Sequence, residues 1–216
     1  WLRGSPVGNT AEPLKHSDRT KLFHSIGSEM AQMHALADAW VPPKHFTRHN
    51  WDRAGLLGEN PIWDRFWENP TLSKNDRTLF SKIREVANEK LKALENELDY
   101  GLIHADLVRE NILIDVDKIQ LIDFDDSGFG FRLFDLATTL LKNLDEPDYP
   151  ALRDALIDGY KLIRKIDITE LDLFLLMRAA TYVGWVIKRI DEKGSKVRNE
   201  RFIFNTRKLA RAYLVY

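Results

Sequence analysis

The sequence predicts an α+β fold that is mostly α-helical and contains one small β-hairpin. Apolar residues recur at three- and four-residue spacing through most of the chain, which is the pattern of amphipathic helices. Two β-rich runs, residues 112–115 and 119–124, flank a turn at residues 116–118, which is the pattern of a hairpin. With 216 residues, 44% of them apolar, the chain is long enough to bury a sizeable core.

Capping residues and prolines bound the predicted helices. Ser17 or Asp18 can cap the first helix, and Pro42-Pro43 stops it. An irregular region rich in tryptophan follows, and Ser73 can cap the next helix. The predicted helices span residues 17–40, 73–98, 133–144, 149–166, 169–190 and 197–215.

The composition argues against several classes of function. The 32 Lys and Arg residues are balanced by 33 Asp and Glu residues, so the chain lacks the basic surplus typical of nucleic-acid or membrane-surface binding. No apolar run approaches the roughly 20 residues that a membrane helix needs. The sequence contains no cysteine, which excludes disulfides and thiolate chemistry and fits a reducing compartment. We therefore expect a cytoplasmic protein that binds neither nucleic acid nor a membrane.

Polar residues on both sides of the hairpin suggest a chemical role. Asp106 and Asn111 precede the first β run, and Asp123 follows shortly before the second run ends. A carboxylate can orient an attacking hydroxyl, and carboxylate and amide oxygens are ligands suited to Mg²⁺. His104-Ala105-Asp106-Leu107, three residues and Asn111 match the catalytic loop of kinases at every fixed position except its arginine. The spacing predicts a phosphotransfer centre.

Two segments, LIHADLVRENILID and LIDFDDSGFGFRLFDLA, resemble the aminoglycoside phosphotransferase and choline kinase superfamily. The form IDFDDSGFG resembles the branch of that superfamily that contains homoserine kinase-like and RdoA/SrkA-like proteins. The resemblance implies a protein-kinase-like C-terminal lobe that uses Mg²⁺ and ATP, or GTP, as phosphoryl donor. It implies Asp106 as the catalytic base and Asn111 and Asp123 as magnesium ligands, with Asp125 assisting at the metal.

The same resemblance implies further roles around this centre. His104 would be a structural residue of the catalytic loop, and Asp135 would be a buried support for the loop. Trp1 and Leu2 would follow the last strand of a small lobe and contact the nucleotide. The implied division of the chain is a hinge remnant and linker at residues 1–14 and a helical lobe at residues 15–216.

The sequence departs from the pattern of a complete kinase. It contains no Gly-rich phosphate loop, no strand like Val-Ala-Ile-Lys and no partner glutamate helix before the hinge. We therefore expect that the N-terminal lobe is missing and that the chain alone has little or no kinase activity.

The acceptor is expected to be the hydroxyl of a small molecule. Val108 stands where protein kinases have a lysine, and residues 127–133 are too short to form a platform for a peptide. Two alternatives stay open, a Ser/Thr protein kinase of the RdoA/SrkA type and a non-catalytic, kinase-like binding module. An aromatic wall for the acceptor is a further hypothesis, and core packing is the alternative use of its residues, which are Trp51, Trp63, Trp67, Tyr182 and Trp185.

Overall fold

The computed structural model describes residues 3–214 and confirms a mostly helical fold, with 55% helix and small sheets. The helices are α1 (Arg19–Ala39), α2 (Arg53–Leu57), α3 (Lys74–Leu94), α4 (Arg132–Leu141), α5 (Tyr149–Ile163), α6 (Leu171–Trp185) and α7 (Ser195–Leu214). The strands are β1 (Ser5–Pro6), β2 (His49–Trp51), β3 (Tyr100–Ile103), β4 (Ile112–Asp115), β5 (Lys118–Leu121) and β6 (Gly128–Phe131). Within residues 3–214, no helix is both long enough and apolar enough to cross a membrane.

The chain divides into two compact units that alternate along the sequence. The first unit runs up to His49 and resumes at Asp99–Ile168. The second unit comprises Asn50–Leu98 and the chain from Thr169 onward. The predicted site residues that the structure describes all belong to the first unit.

The first unit contains the predicted hairpin. Strands β4 and β5 pair antiparallel, with Ile112 opposite Leu121, and β1 pairs with the other edge of β4. The predicted second strand, residues 119–124, was wrong at its carboxyl end, because β5 ends at Leu121. The Ile122 N–H donates instead to the carbonyl oxygen of Asn111, at 3.0 Å. Asp123 has a φ of 66°, which lies outside the range of a β-strand. The chain therefore leaves the sheet just before the predicted metal ligand.

Helices of the first unit pack closely through small residues. A Cβ added at Gly27 of α1 would lie 2.0 Å from the carbonyl oxygen of Leu156, and one at Gly159 of α5 would lie 1.9 Å from that of His24. Only glycine permits this approach of two backbones. Helix α4 is buried along its whole length and lies against β3 and β6, which pair antiparallel. The core of this unit therefore lies directly behind the loop that carries Asp106.

The second unit has a core of its own. Ser73 caps α3 as predicted, since its hydroxyl accepts a hydrogen bond from the Asp76 N–H, and Arg207 of α7 donates two bonds to the Asp76 carboxylate at 2.7 and 2.9 Å. Helix α6 is buried on nearly every face. The guanidinium of Arg178 on α6 is fully buried and lies 4.3 Å from the centre of the Tyr182 ring. Helix packing and stacked arginines thus build this unit.

Candidate active site

A buried carboxylate holds the backbone of the catalytic loop. Asp135, in α4, is fully buried, and its two oxygens accept hydrogen bonds from the N–H groups of His104 at 2.8 Å and Ala105 at 2.7 Å. Ala105 has a φ of 67°, which is uncommon for any residue other than glycine, asparagine or aspartate. Such a conformation persists where the surroundings hold it, and both bonds to Asp135 do so here. The residue just before Asp106 is therefore fixed by α4.

His34 in α1 provides a third hydrogen bond to this carboxylate, and no motif in the sequence points to it. Its Nε2 lies 3.0 Å from Oδ2 of Asp135, and its Nδ1 lies 2.8 Å from the hydroxyl of Tyr160. Burial lowers the pKa of His34, so the ring is neutral, with Nε2–H donating to Asp135 and the Tyr160 hydroxyl donating to Nδ1. Burial raises the pKa of Asp135, but the bonds from His34 and the His104 backbone outweigh it, so its pKa is lowered and the carboxylate stays charged.

The side chain of His104 connects the catalytic loop to the segment after β5. The Asp106 N–H donates to Nδ1 of His104 at 3.3 Å, so that Nε2 carries the proton and donates to the carbonyl oxygen of Ile122 at 2.9 Å. The ring of Phe124 lies 4.5 Å from the ring of His104, centre to centre. His104 therefore contacts the residues on both sides of Asp123. These contacts are of the kind that the predicted supporting role requires.

Asp106 and Asn111 are held together within one short turn. The Asn111 Nδ2 donates to the backbone oxygen of Asp106 at 2.9 Å and to its Oδ2 at 3.2 Å. Both bonds use the amide nitrogen, which leaves the amide oxygen of Asn111 as the atom suited to a cation. The Thr139 hydroxyl of α4 donates to the carbonyl oxygen of Leu107 at 2.9 Å and so fixes the turn from behind.

The turn after β5 carries the other predicted metal ligands. The Ile122 N–H donates a hydrogen bond to the carbonyl oxygen of Asn111, and Asp123 is the next residue in the chain after Ile122. The side chains of Asp123 and Asp125 are exposed, and Arg48 donates to the backbone oxygen of Asp125 at 3.2 Å. No three His, Cys, Asp or Glu side chains within residues 3–214 form a cluster that could hold a metal alone. One carboxylate and one amide fit Mg²⁺, which commonly takes its remaining ligands from water and substrate phosphates.

Two other predictions have different outcomes. Trp1 and Leu2 lie outside the described residues, so their contact with nucleotide stays a prediction.

In the second unit, Trp63 lies among the rings of Trp51, Tyr182 and Trp185, but the face of Trp63 is covered by the guanidinium of Arg178 at 4.5 Å. Cations from the protein itself occupy these rings, which favours the interpretation of core packing over that of an aromatic wall.

A family profile, a curated relative and a solved structure all match this chain, and all three are phosphotransferases or kinases. The profile of the phosphotransferase enzyme family that includes aminoglycoside phosphotransferases matches residues 1–174. The homoserine kinase of Neisseria meningitidis serogroup B is 30% identical over 206 residues, which are 88% of this chain and 61% of that protein. A solved microcompartment-associated aminopropanol kinase matches with a TM-score of 0.80 and 26% identity, over 91% of this chain and 63% of that chain.

A second solved structure, the amicoumacin kinase hAmiN in complex with AMP-PNP, Ca²⁺ and Ami, shares the fold. It matches with a TM-score of 0.70 and 19% identity, over 98% of this chain and 63% of that chain. The chain thus spans less than two thirds of the length of these three relatives. The family profile covers most of the chain and includes the whole predicted catalytic loop, and its relatives are small-molecule kinases. The chain therefore belongs to the phosphotransferase enzyme family.

Proposed function

We propose that this chain carries the base and the metal ligands of a kinase that transfers a phosphoryl group from a Mg²⁺-bound nucleotide to the hydroxyl of a small molecule. The observation that carries the proposal is a set of hydrogen bonds that connects the segments of three predicted site residues, Asp106, Asn111 and Asp123. The Asn111 side chain is bonded to Asp106, and the Asn111 backbone is bonded to the residue before Asp123. These bonds link the proposed base to one proposed cation ligand and to the residue that precedes the other, which supports a joint role for the three.

The residues of the chain would act mainly by positioning. Asp106 accepts the hydrogen bond of the acceptor hydroxyl and takes its proton as the new O–P bond forms and the bond between the γ-phosphorus and the bridging oxygen breaks. Asn111 and Asp123 would hold Mg²⁺, which neutralises charge on the phosphates when bound. Asp135 and His34 keep the loop in place through buried bonds that the reaction does not break.

The relatives suggest both the donor and the class of acceptor. The amicoumacin kinase structure contains AMP-PNP, which supports ATP as the donor, and GTP stays the alternative. The homoserine and aminopropanol kinases take their names from small hydroxyl compounds, which supports a small-molecule acceptor rather than a protein. Homoserine and aminopropanol are therefore the first acceptors to test. Asp125 is a proposed additional metal ligand.

We further propose that the chain alone is inactive and that a second lobe must cover the phosphates. The sequence has no phosphate loop and no strand with a nucleotide-binding lysine, and the matched relatives are longer. Purified chain and full-length gene product can be compared for turnover of ATP with the same acceptors. Turnover by the chain at the rate of the full-length product would contradict this part of the proposal.

The main test replaces Asp106 by asparagine and Asp123 by alanine in the full-length gene product. Loss of a positioned general base lowers kcat by about 10²- to 10⁴-fold, and we expect a loss in this range for Asp106→Asn. Asp123→Ala should remove most of the activity and raise the Mg²⁺ concentration that half-maximal turnover requires, because one metal ligand is lost. Asp115→Asn, at an exposed position at the end of β4, is the matched control and should keep full activity. Full activity in Asp106→Asn or in Asp123→Ala would refute the assignment.

A further inference from the structure

Arg109 is a buried charged residue of the catalytic loop that the proposed mechanism does not use. It lies between Asp106 and Asn111 in the chain, and its side chain is 4% exposed. Its Nε and Nη2 donate to Oδ1 of Asn143 at 2.9 and 2.6 Å, and its Nη1 donates to the backbone oxygen of Glu12 at 2.6 Å. The guanidinium thus connects the catalytic loop both to the end of α4 and to the segment after β1.

A buried glutamate completes this network. Oε1 of Glu146 accepts a hydrogen bond from Nη2 of Arg109 at 2.5 Å and from the N–H of Leu14 at 2.8 Å, and its Oε2 accepts one from Arg19 at 2.6 Å. Burial raises the pKa of Glu146, but these hydrogen bonds outweigh it and lower its pKa below the ordinary value, so the carboxylate is charged. Glu146 therefore joins two guanidinium groups, one from the catalytic loop and one from α1, through its two oxygens.

The neighbouring residue, Glu110, holds the same segment from the other side. Its Oε1 accepts hydrogen bonds from the N–H of Thr10 at 2.8 Å and from the Thr10 hydroxyl at 2.9 Å. The Val7 N–H donates to the carbonyl oxygen of Ile112 at 2.8 Å. Arg109 and Glu110 of the catalytic loop, together with Ile112 of β4, therefore bond to residues 7–14, which we call the linker.

We propose that Arg109 is a positioning residue that couples the linker to the catalytic loop, so that Asp106 and Asn111 keep a fixed placement relative to the segment before the linker. This inference rests on the proposed function and on the expectation from the sequence that Trp1 and Leu2, which precede the linker, contact the nucleotide. A guanidinium suits the task because its donors form a planar fork that serves several acceptors at once, whereas an ammonium group is a compact point charge. Arg109→Lys therefore keeps the charge and removes the simultaneous bonds.

The first test measures hydrogen exchange in the purified chain and does not depend on turnover. In Arg109→Lys, we expect faster exchange both at the linker amides of Thr10 and Leu14 and at the loop amides of Asn111 and Ile122, by about tenfold or more. Arg153→Lys is the matched control, because Arg153 of α5 pairs only with the adjacent, largely exposed Asp154 among the described residues. Unchanged exchange at the loop amides, with faster exchange confined to the linker, would overturn the coupling.

The second test measures kinetics in the full-length gene product. We expect Arg109→Lys to raise KM for the Mg²⁺-nucleotide and to lower kcat, each by about tenfold, as for other supporting residues of a site, while KM for the acceptor stays unchanged. A purely structural role would lower the amount of active protein and leave both KM values unchanged, which would overturn the proposal.

The proposed function and the role of Arg109 can be refuted separately. Full activity in Asp106→Asn refutes the proposed function. Loss of activity in Asp106→Asn together with wild-type kinetics in Arg109→Lys refutes only the role of Arg109. If no acceptor is turned over, the exchange experiment still decides the coupling.

Discussion

Asp135 illustrates how a single buried residue determines the shape of the catalytic loop. Its two oxygens accept from two backbone N–H groups and from His34, so each oxygen has a specific donor. In Asp135→Asn, one oxygen becomes an NH₂ group that faces a buried donor, and the strained φ of Ala105 loses part of its support. We expect the free energy of unfolding to fall by about 2 to 4 kcal/mol, measured by urea denaturation.

The control for this substitution is Asp154→Asn. Asp154 lies on the exposed face of α5, and its side chain is 70% exposed, so its replacement should change the free energy of unfolding by less than about 0.5 kcal/mol. An equal, small effect of both substitutions would show that the loop does not depend on the Asp135 carboxylate.

His34 should make the stability depend on pH. Burial lowers the pKa of His34 below its ordinary value of 6.5, so in mildly acidic solution the unfolded chain binds a proton that the folded chain does not bind. The stability contributed by neutral His34 is present at pH 7.5 and is lost as the pH falls through the unfolded pKa, with a slope of at most about 1.4 kcal/mol per pH unit.

The measurement compares the wild-type chain with His34→Gln at pH 7.5 and pH 5.5. Urea denaturation should give a larger loss of stability on acidification for the wild type than for His34→Gln, since the other histidines are common to both proteins. A wild-type chain that gains stability relative to His34→Gln at pH 5.5 would indicate a protonated His34 paired with Asp135, which contradicts the neutral ring.

Sequence spacing selects residues that lie close together along the chain. Asp106, Asn111 and Asp123 are predicted site residues because a kinase catalytic loop has its base and metal ligands at these separations, and their roles stay predictions. His34 precedes Asp135 by 101 residues, and in the sequence it is one more residue of an amphipathic helix. Its role depends on how α1 packs on α5 and α4, which periodicity does not reveal. Arg109 escapes the sequence pattern for a related reason, since its partners come from two distant segments, one before α1 and one between α4 and α5.

At the scale of elements, local signals predicted which helices and strands exist better than where they end. Ser73 caps α3 as expected because its hydroxyl needs only the N–H three residues later. The second strand was predicted three residues too long because residues 122–124 are β-prone, but the Asn111 carbonyl oxygen takes the Ile122 N–H and the chain turns. That contact is made outside the paired strands, so hydrophobic pattern alone could not reveal it.

The close packing of α1 on α5 should be sensitive to a single methyl group. In Gly159→Ala, the new Cβ would lie 1.9 Å from the carbonyl oxygen of His24, so the helices must separate. Overpacking of this kind costs about 1 to 3 kcal/mol, and we expect the upper end of that range in the free energy of unfolding. Because His34 lies on α1 and Tyr160 follows Gly159, the distance between these two side chains should also change.

Gly8→Ala provides the matched glycine control. A Cβ there would meet only the Arg109 side chain, at 3.7 Å, which is ordinary van der Waals contact. We expect less than about 0.5 kcal/mol of change in Gly8→Ala. If Gly159→Ala changes the free energy of unfolding no more than Gly8→Ala does, the close contact between the backbones of α1 and α5 is not needed for stability.

At the scale of the whole molecule, the predicted site residues that the structure describes lie in one of the two units. The contacts described for His104, Asp106, Asn111 and Asp135 are all made within the first unit, while the second unit is organised around stacked rings and Arg178. Family membership extends over residues 1–174, so it covers the first unit and part of the second. The packing of α1, α4 and α5 therefore positions Asp106, the proposed base, while the proposed second lobe would supply further contacts to the nucleotide.

This division predicts how much stability a nucleotide can add. A ligand that binds only the folded state at 100 times its Kd adds about 2.7 kcal/mol, which raises the Tm of a protein of 150 to 250 residues by about 5 to 10 °C and that of a longer chain by somewhat less. We expect Mg²⁺ and ADP at millimolar concentration to raise the Tm of the full-length gene product in this way. The Tm of the 216-residue chain should change by less than about 2 °C, because two oxygen ligands hold Mg²⁺ weakly when no second lobe covers the phosphates. Differential scanning calorimetry of both proteins, with Asp123→Ala as the control that lacks one ligand, measures the difference. A large shift in the chain that Asp123→Ala removes would show that these 216 residues are enough to bind the nucleotide.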